Sequence, residues 1–164
     1  MRKLHPAENR VILLHGLWMH APAMRWFAAR LEGCGFDARV LGYYSVMEGS
    51  ARAVARVADA LGRSRGSHVV AHSLGGLMAL EAVRGMTSSD IGRVVCLGTP
   101  LAGSRAAGGI VRRLPAGRCL LGRHAPMLLA GVGSLPPGVD VGMIAGSRRR
   151  GLGRLMAPLG DDHD

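Results

Sequence analysis

His68-Val-Val-Ala-His-Ser73-Leu-Gly-Gly76 is the stretch that decides how this 164-residue chain folds. Its first four residues form a short strand-like run with Val69, Val70 and Ala71 apolar, the pattern of a strand covered on both faces. Leu74, Leu77, Met78, Ala82, Val83 and Met86 then recur at helical spacing. Ser73 therefore stands directly between a strand and a helix. In a parallel sheet that junction lies at the C-terminal edge, where ligands bind. A sharp turn there leaves little room, and the residues two before and two after the serine are small: Ala71 and Gly75. Gly76 lets the new helix pack closely on the sheet. The first amides of that helix lack intrahelical acceptors and can face a developing oxyanion. The plainer reading of Ser73 is a helix N-cap with small neighbours by chance. The coincidence of strand, small-x-Ser-x-Gly-Gly and apolar helix favours an exposed nucleophile.

Outward from this stretch, short apolar runs alternate with helix-period segments. Arg10–Leu14 reads as a strand stopped by His15-Gly16. Pro22–Leu31 reads as a helix with Pro22 in its first turn, with Met24, Phe27, Ala28 and Leu31 on one face and Gly33 and Gly35 ending it. Asp37–Gly42 is a second strand. Ser50 is placed to cap a helix with a stripe of Ala51, Val54, Ala55, Ala58 and Leu61. Arg93–Leu97, closed by Gly98-Thr99-Pro100, and Val139–Ala145 are further strands. Strands alternating with helices predict an α/β fold, a mostly parallel central sheet with helices on both faces, in one domain spanning 1–164. Between Pro100 and Pro137 the rhythm breaks among glycines and prolines around Met127-Leu-Leu-Ala130. We read 101–137 as a cap-like segment over the C-terminal sheet edge, or equally as a crossover holding two short helices.

Composition narrows the class. At 48% hydrophobic and 20% charged the chain is neither a disordered tail nor, with 25 scattered glycines, collagen-like. The net charge is +10, from 21 basic and 11 acidic residues, and Lys3 is the only lysine. The arginines are spread along the chain, with one tight run at Arg148-Arg149-Arg150, and aromatic residues make up 4%. That argues against a nucleic-acid partner as the main role. Cys34, Cys96 and Cys119 show no zinc spacing, and Cys34 and Cys96 read as small core residues, which suits a reducing compartment. Arg2 and Lys3 are followed only by Val11–Leu14 as an apolar run, too short for a signal segment or a membrane span, so a cytoplasmic protein is expected.

A second motif, His15-Gly16-Leu17-Trp18, follows the first strand. Glycine lets the backbone bend so that the next amide faces the serine. Leu17 and Leu74 would then be the two N–H donors of an oxyanion hole, with His15 bracing the loop by hydrogen bonds. Taken alone, His-Gly is a simple strand-terminating turn.

Val11-Ile-Leu-Leu-His-Gly-Leu17, Ala71-His-Ser-Leu-Gly-Gly76 and Leu97-Gly-Thr-Pro100 together resemble the α/β-hydrolase fold family, within it small bacterial lipase- or esterase-like members. The resemblance runs from about residue 10 to the end. It implies cleavage of carboxylic esters through an acyl-enzyme on Ser73, with no metal or organic cofactor, on a small-molecule or lipid ester. It also implies the order serine, acid, histidine. Asp140 begins a strand and is poorly placed as the acid. In Gly160-Asp161-Asp162-His163-Asp164 the acid is Asp164, then Asp162. None of His5, His15, His20, His68, His72, His124 and His163 stands where the family places its base. The elbow turns His72 away, His163 adjoins the acid, and His124 sits in the cap-like segment. The expectation is a C-terminally shortened chain that lacks the last strand, the base histidine and the last helix, which would leave Ser73 a weak nucleophile.

Trp18 and Met19, beside the oxyanion loop, are candidates for substrate binding. Apolar residues of the cap-like segment, Ile110, Leu114, Leu120, Leu121, Leu128 and their neighbours, either line an acyl pocket or pack the core. Arg112, Arg113, Arg118 and Arg123 offer anionic head groups a transient membrane-surface contact, against the plainer reading of solvated side chains. Two other functions stay open: a non-catalytic relic that binds an anionic partner, and an acyltransferase or thioesterase using the same serine chemistry. Oligomeric state and acyl length are not written in the sequence.

Overall fold

The computed structural model describes residues 9–19, 21–43, 47–87 and 90–146. Five parallel strands form one open sheet: β1 Arg10–Leu14, β2 Asp37–Leu41, β3 His68–His72, β4 Val94–Leu97 and β5 Val141–Ile144, in the order β2-β1-β3-β4-β5. The expected strands are all present, most trimmed by a residue or two at an end and β3 one residue longer, through His72. Register aligns the C-terminal ends: Leu14 stands opposite Leu41 and Ala71, His72 opposite Leu97, and Leu97 opposite Ile144. His15-Gly16, Ser73 and Gly98-Thr99 consequently leave the sheet along one edge.

Alternation divides the strand residues between two layers. Val11, Leu13, Ala38 and Val70 pack under α1 (Arg25–Glu32), where its Ala28 and the preceding Met24 are buried. This helix opens with a 3-10 turn at Ala21–Met24, and Phe27 and Leu31 complete its apolar face as expected. Ile12, Leu14, Val69, Ala71, Val94 and Cys96 face the other way, against α2 (Ser50–Gly62) and α3 (Leu74–Ala82). Every residue of α3 from Leu74 to Leu80 is buried, the condition of a helix apolar all round. Each large side chain so buried contributes about 1.5–3 kcal/mol. A 3-10 turn at Val83–Gly85 ends the segment, short of the expected Met86.

The segment between β4 and β5 holds three short helices rather than two: α4 Arg105–Arg113, α5 Gly117–Leu121 and α6 Ala125–Ala130, with a 3-10 turn at Gly122–His124. It is a crossover that also covers the first half of α3: Ala107, Ile110, Leu121, Ala125 and Leu128 bury a cluster with Leu74, Leu77 and Met78. Ser104 caps α4, its Oγ accepting from the Ala107 N–H at 3.1 Å.

Three expectations need correction. The N-cap of α2 is Gly49, and Ser50 is its first helical residue. The buried stripe of α2 is Ala53, Val57 and Leu61, whereas Ala51 and Ala55 are exposed. Alanine gives a face little hydrophobic weight and Leu61 belongs to both stripes, so Val57, rather than the half-buried Val54, sets the rotation. Cys34 is exposed, lying in the turn after α1 and before Gly35, which takes φ +91°; Cys96 is buried as expected.

Candidate active site

Ser73 takes φ 52° and ψ −119°, a left-handed backbone conformation rare for a residue with a side chain. Such a conformation costs of order 1–3 kcal/mol and persists only where the surroundings fix it. Here they do. The Ser73 N–H donates to the Leu97 carbonyl at 2.9 Å, continuing the sheet ladder, while its carbonyl accepts from the Gly76 N–H at 3.0 Å, opening the helix. Strand pairing holds one side of the residue and helix winding the other, so the chain must reverse within it.

Three glycines make room for this bend. A methyl carbon on Gly16 would lie 3.1 Å from Ser73 Cβ and 2.9 Å from His72 Nδ1. One on Gly75 would lie 2.5 Å from the His15 carbonyl oxygen, and one on Gly76 2.0 Å from Thr99 Oγ1. The loop after β1 and the start of α3 thus touch main chain to main chain. Among the described residues, neither the Leu17 nor the Leu74 N–H donates to a protein acceptor.

The loop after β1 is held from several sides. His15 is buried, and its Nδ1 lies 3.0 Å from the Gly16 carbonyl, which also accepts from the Met19 N–H at 3.3 Å. In a trans peptide the N–H points opposite to the C=O. Two contacts on the Gly16 carbonyl therefore fix the direction of the Leu17 N–H. Tyr43 secures the other face. Its ring stacks on His15 with centroids 4.2 Å apart and planes at 3°, and its hydroxyl donates to the His15 carbonyl. Burial pushes the phenol pKa up, which keeps that donor protonated. Tyr43 also belongs to the apolar cluster of Leu74 and Leu77. Sequence patterning does not single it out: it stands two residues past β2, one step beyond the position level with His15 in the β1–β2 register.

Trp18, with φ 57° and part-exposed, donates its indole N–H to the Leu120 carbonyl at 3.0 Å, tying the loop to α5. Leu17 packs against the cluster under the cap-like segment, whereas Met19 packs on the α1 side. Ile110, Leu121 and Leu128 are core residues, while Leu114 and Leu120 are exposed. Among the chain's histidines, His72 shares the α1 side with Val70, and its Nδ1 is buried without a hydrogen-bond partner among the described residues. Burial lowers its pKa. His124 is buried, with Nδ1 2.8 Å from Ser50 Oγ. Asp140 precedes β5 at the opposite sheet edge, beside Arg93 at 3.7 Å. Asp162, His163 and Asp164 lie outside the described residues.

A groove of about 500 Å³ lies elsewhere, between α1 and β2, lined by Pro22, Arg25, Ala28, Glu32 and Val40 among others. It includes none of the residues around Ser73. Among the described residues no group of three or more His, Cys, Asp and Glu side chains is arranged to hold a metal, and no helix is long and apolar enough to cross a membrane.

The alpha/beta hydrolase family model matches residues 11–162. Solved structures of similar fold include the mature lipase BlEst2 of Bacillus licheniformis, with TM-score 0.73 and 21% identity over 91% of this chain and 70% of that one. A carboxylesterase structure from Nitrososphaera gargenis gives 0.61 and 10%, over 87% and 74%. The type II thioesterase BorB of the borrelidin biosynthetic cluster gives 0.56 and 17%, over 89% and 73%. No curated protein sequence matches.

Proposed function

The chain belongs to the alpha/beta hydrolase family, and on that premise we propose that it cleaves carboxylic esters through an acyl-enzyme on Ser73. The backbone of Ser73 carries this reading: φ 52° at a strand-to-helix junction, with glycines on both sides of the bend. Ser73 Oγ attacks the ester carbonyl carbon. The negative charge that forms on the carbonyl oxygen is met by the N–H groups of Leu17 and Leu74. Each such donor contributes on the order of 3 kcal/mol to the transition state. The tetrahedral intermediate collapses, the C–O bond to the alcohol breaks, and the alcohol leaves with the proton taken from serine. Water then attacks the acyl-serine by the same route and frees the acid.

Asp164 is the carboxylate we assign as acid, with Asp162 next. We assign the base to none of the chain's histidines. His72 faces the α1 layer and His124 is bonded to Ser50. The substrate is a small-molecule or lipid ester, with Trp18 bordering it where the loop meets α5. Turnover of p-nitrophenyl esters of increasing acyl length, against the matching acyl-thioester, tests the class. Ester cleavage abolished in Ser73→Ala supports it; cleavage undiminished in Ser73→Ala, or confined to the thioester, overturns it.

A further inference from the structure

Charge is distributed unevenly over this molecule. Outside 101–137, eight of the ten described arginines lie within 4 Å of a carboxylate: Arg10 and Arg39 at Asp37, Arg52 and Arg56 at Glu48, and Arg63, Arg65, Arg84 and Arg93 at one acidic partner each. Between Asp90 and Asp140 the sequence holds no acidic residue. Arg105, Arg112, Arg118 and Arg123 accordingly have no carboxylate partner among the described residues. Arg112 and Arg118 flank the turn from α4 into α5, and Arg123 follows α5 in the 3-10 turn at Gly122–His124. Residues 112–116 and 118–120 of that corner are all exposed, Leu114 at 39% and Leu120 at 42% among them. The corner is tight: a side chain on Gly117 would begin 2.3 Å from the Ile110 carbonyl oxygen, so α5 starts directly on the α4 backbone. The neighbouring side chains are turned outward. Trp18, 38% exposed, is fastened to the same corner through the Leu120 carbonyl.

We propose that the α4–α5 corner docks onto an anionic lipid surface, with Arg112, Arg118 and Arg123 meeting head-group phosphates and Leu114, Leu120 and the Trp18 ring entering the acyl boundary. Arginine heads flanking exposed leucines and a tryptophan are what such an interface takes up. A purely polyanionic partner would meet the arginines and leave the leucines in water. Each arginine close to an anionic surface raises partitioning roughly fivefold, less as salt rises. The docking needs no attack by Ser73, and through Trp18, which we place beside the substrate, it would bring the loop that abuts Ser73 to the surface.

Co-sedimentation of the full chain with vesicles of phosphatidylcholine containing phosphatidylglycerol, and of phosphatidylcholine alone, reads it directly. Binding to the anionic vesicles is expected, falling as salt rises. It should drop more than tenfold in Arg112→Glu/Arg118→Glu, which keeps its turnover of a soluble short ester, and it should persist in Ser73→Ala. Leu114→Ser/Leu120→Ser is expected to weaken vesicle binding severalfold while leaving retention on heparin unchanged. Equal binding to both vesicle types, an unchanged arginine variant, or a leucine variant that binds vesicles as well as the parent chain overturns the assignment, the last by reducing the corner to adhesion to any polyanion.

Discussion

Replacing Gly75 with alanine puts a methyl carbon 2.5 Å from the His15 carbonyl oxygen and 3.0 Å from Leu14 Cβ and the Leu14 carbonyl oxygen. Two of these three obstacles are main-chain atoms at the end of a central strand, so no side chain can swing aside. Ordinary contact requires roughly 3.5 Å, and the loop after β1 must move about 1 Å from the start of α3. Those two pieces carry the Leu17 and Leu74 amides. A displacement near 1 Å costs about a hundredfold in rate, close to the loss of one oxyanion donor. Overpacking should also lower stability by about 1–3 kcal/mol. The assay is kcat and KM on a short-chain ester, with thermal unfolding of the same samples. We expect kcat to fall about a hundredfold with KM little changed, because the amides act on the transition state. Gly62→Ala is the control: nothing lies within 4 Å of its added carbon, and activity should be unchanged. If folded Gly75→Ala retains parental kcat, the proposed role of these two amides is refuted.

Other outcomes follow from neighbouring residues. At most sites glycine is less stable than alanine by 0.4–1 kcal/mol; at position 73, with φ 52°, Ser73→Gly should be the more stable of the two by about 1 kcal/mol, and a calorimetric order of Ala above Gly would contradict the strained bend. Tyr43→Phe keeps the stack on His15 but removes the donor to its carbonyl; stability should fall by about 1 kcal/mol, and kcat about tenfold with KM unchanged, whereas a change in KM alone would rule out a positioning role. Burial lowers the His72 pKa below its ordinary 6.5. The unfolded chain then binds the extra proton first, so stability is full above pH 6.5 and declines as pH falls below it. In His72→Gln that part of the slope should vanish from a series of melting temperatures, and an unchanged slope would place the titration elsewhere.

The strand–serine–helix junction is legible because it is local: a short apolar run and the small residues about Ser73 fall within nine residues, and a helical period follows them directly. The parallel sheet followed from the alternation of such units. Long-range pairing was not legible. Tyr43 reaches His15 across 28 residues, and nothing in Gly42-Tyr43 announces a donor until β1–β2 pairing brings the ends of the two strands together. The rotation of α2 is not legible because alanines satisfy either stripe and Leu61 belongs to both, which leaves Val57 against Val54 to decide it. The cap-like segment was visible as a break in rhythm, but its three helices were not, since five- and six-residue helices carry too little periodicity to stand out. The imbalance of charge at the α4–α5 corner lay in the sequence as a run without acids; its location beside Trp18 needed the fold.

The nucleophile can be read directly by treating the full chain with a fluorophosphonate and mapping the adduct by peptide mass spectrometry. A single adduct on Ser73, absent from Ser73→Ala and slowed in Gly75→Ala, is the result the proposed nucleophile and its two amide donors predict. Folded protein that carries no adduct at Ser73, or labels equally well as Ser73→Ala, would contradict it.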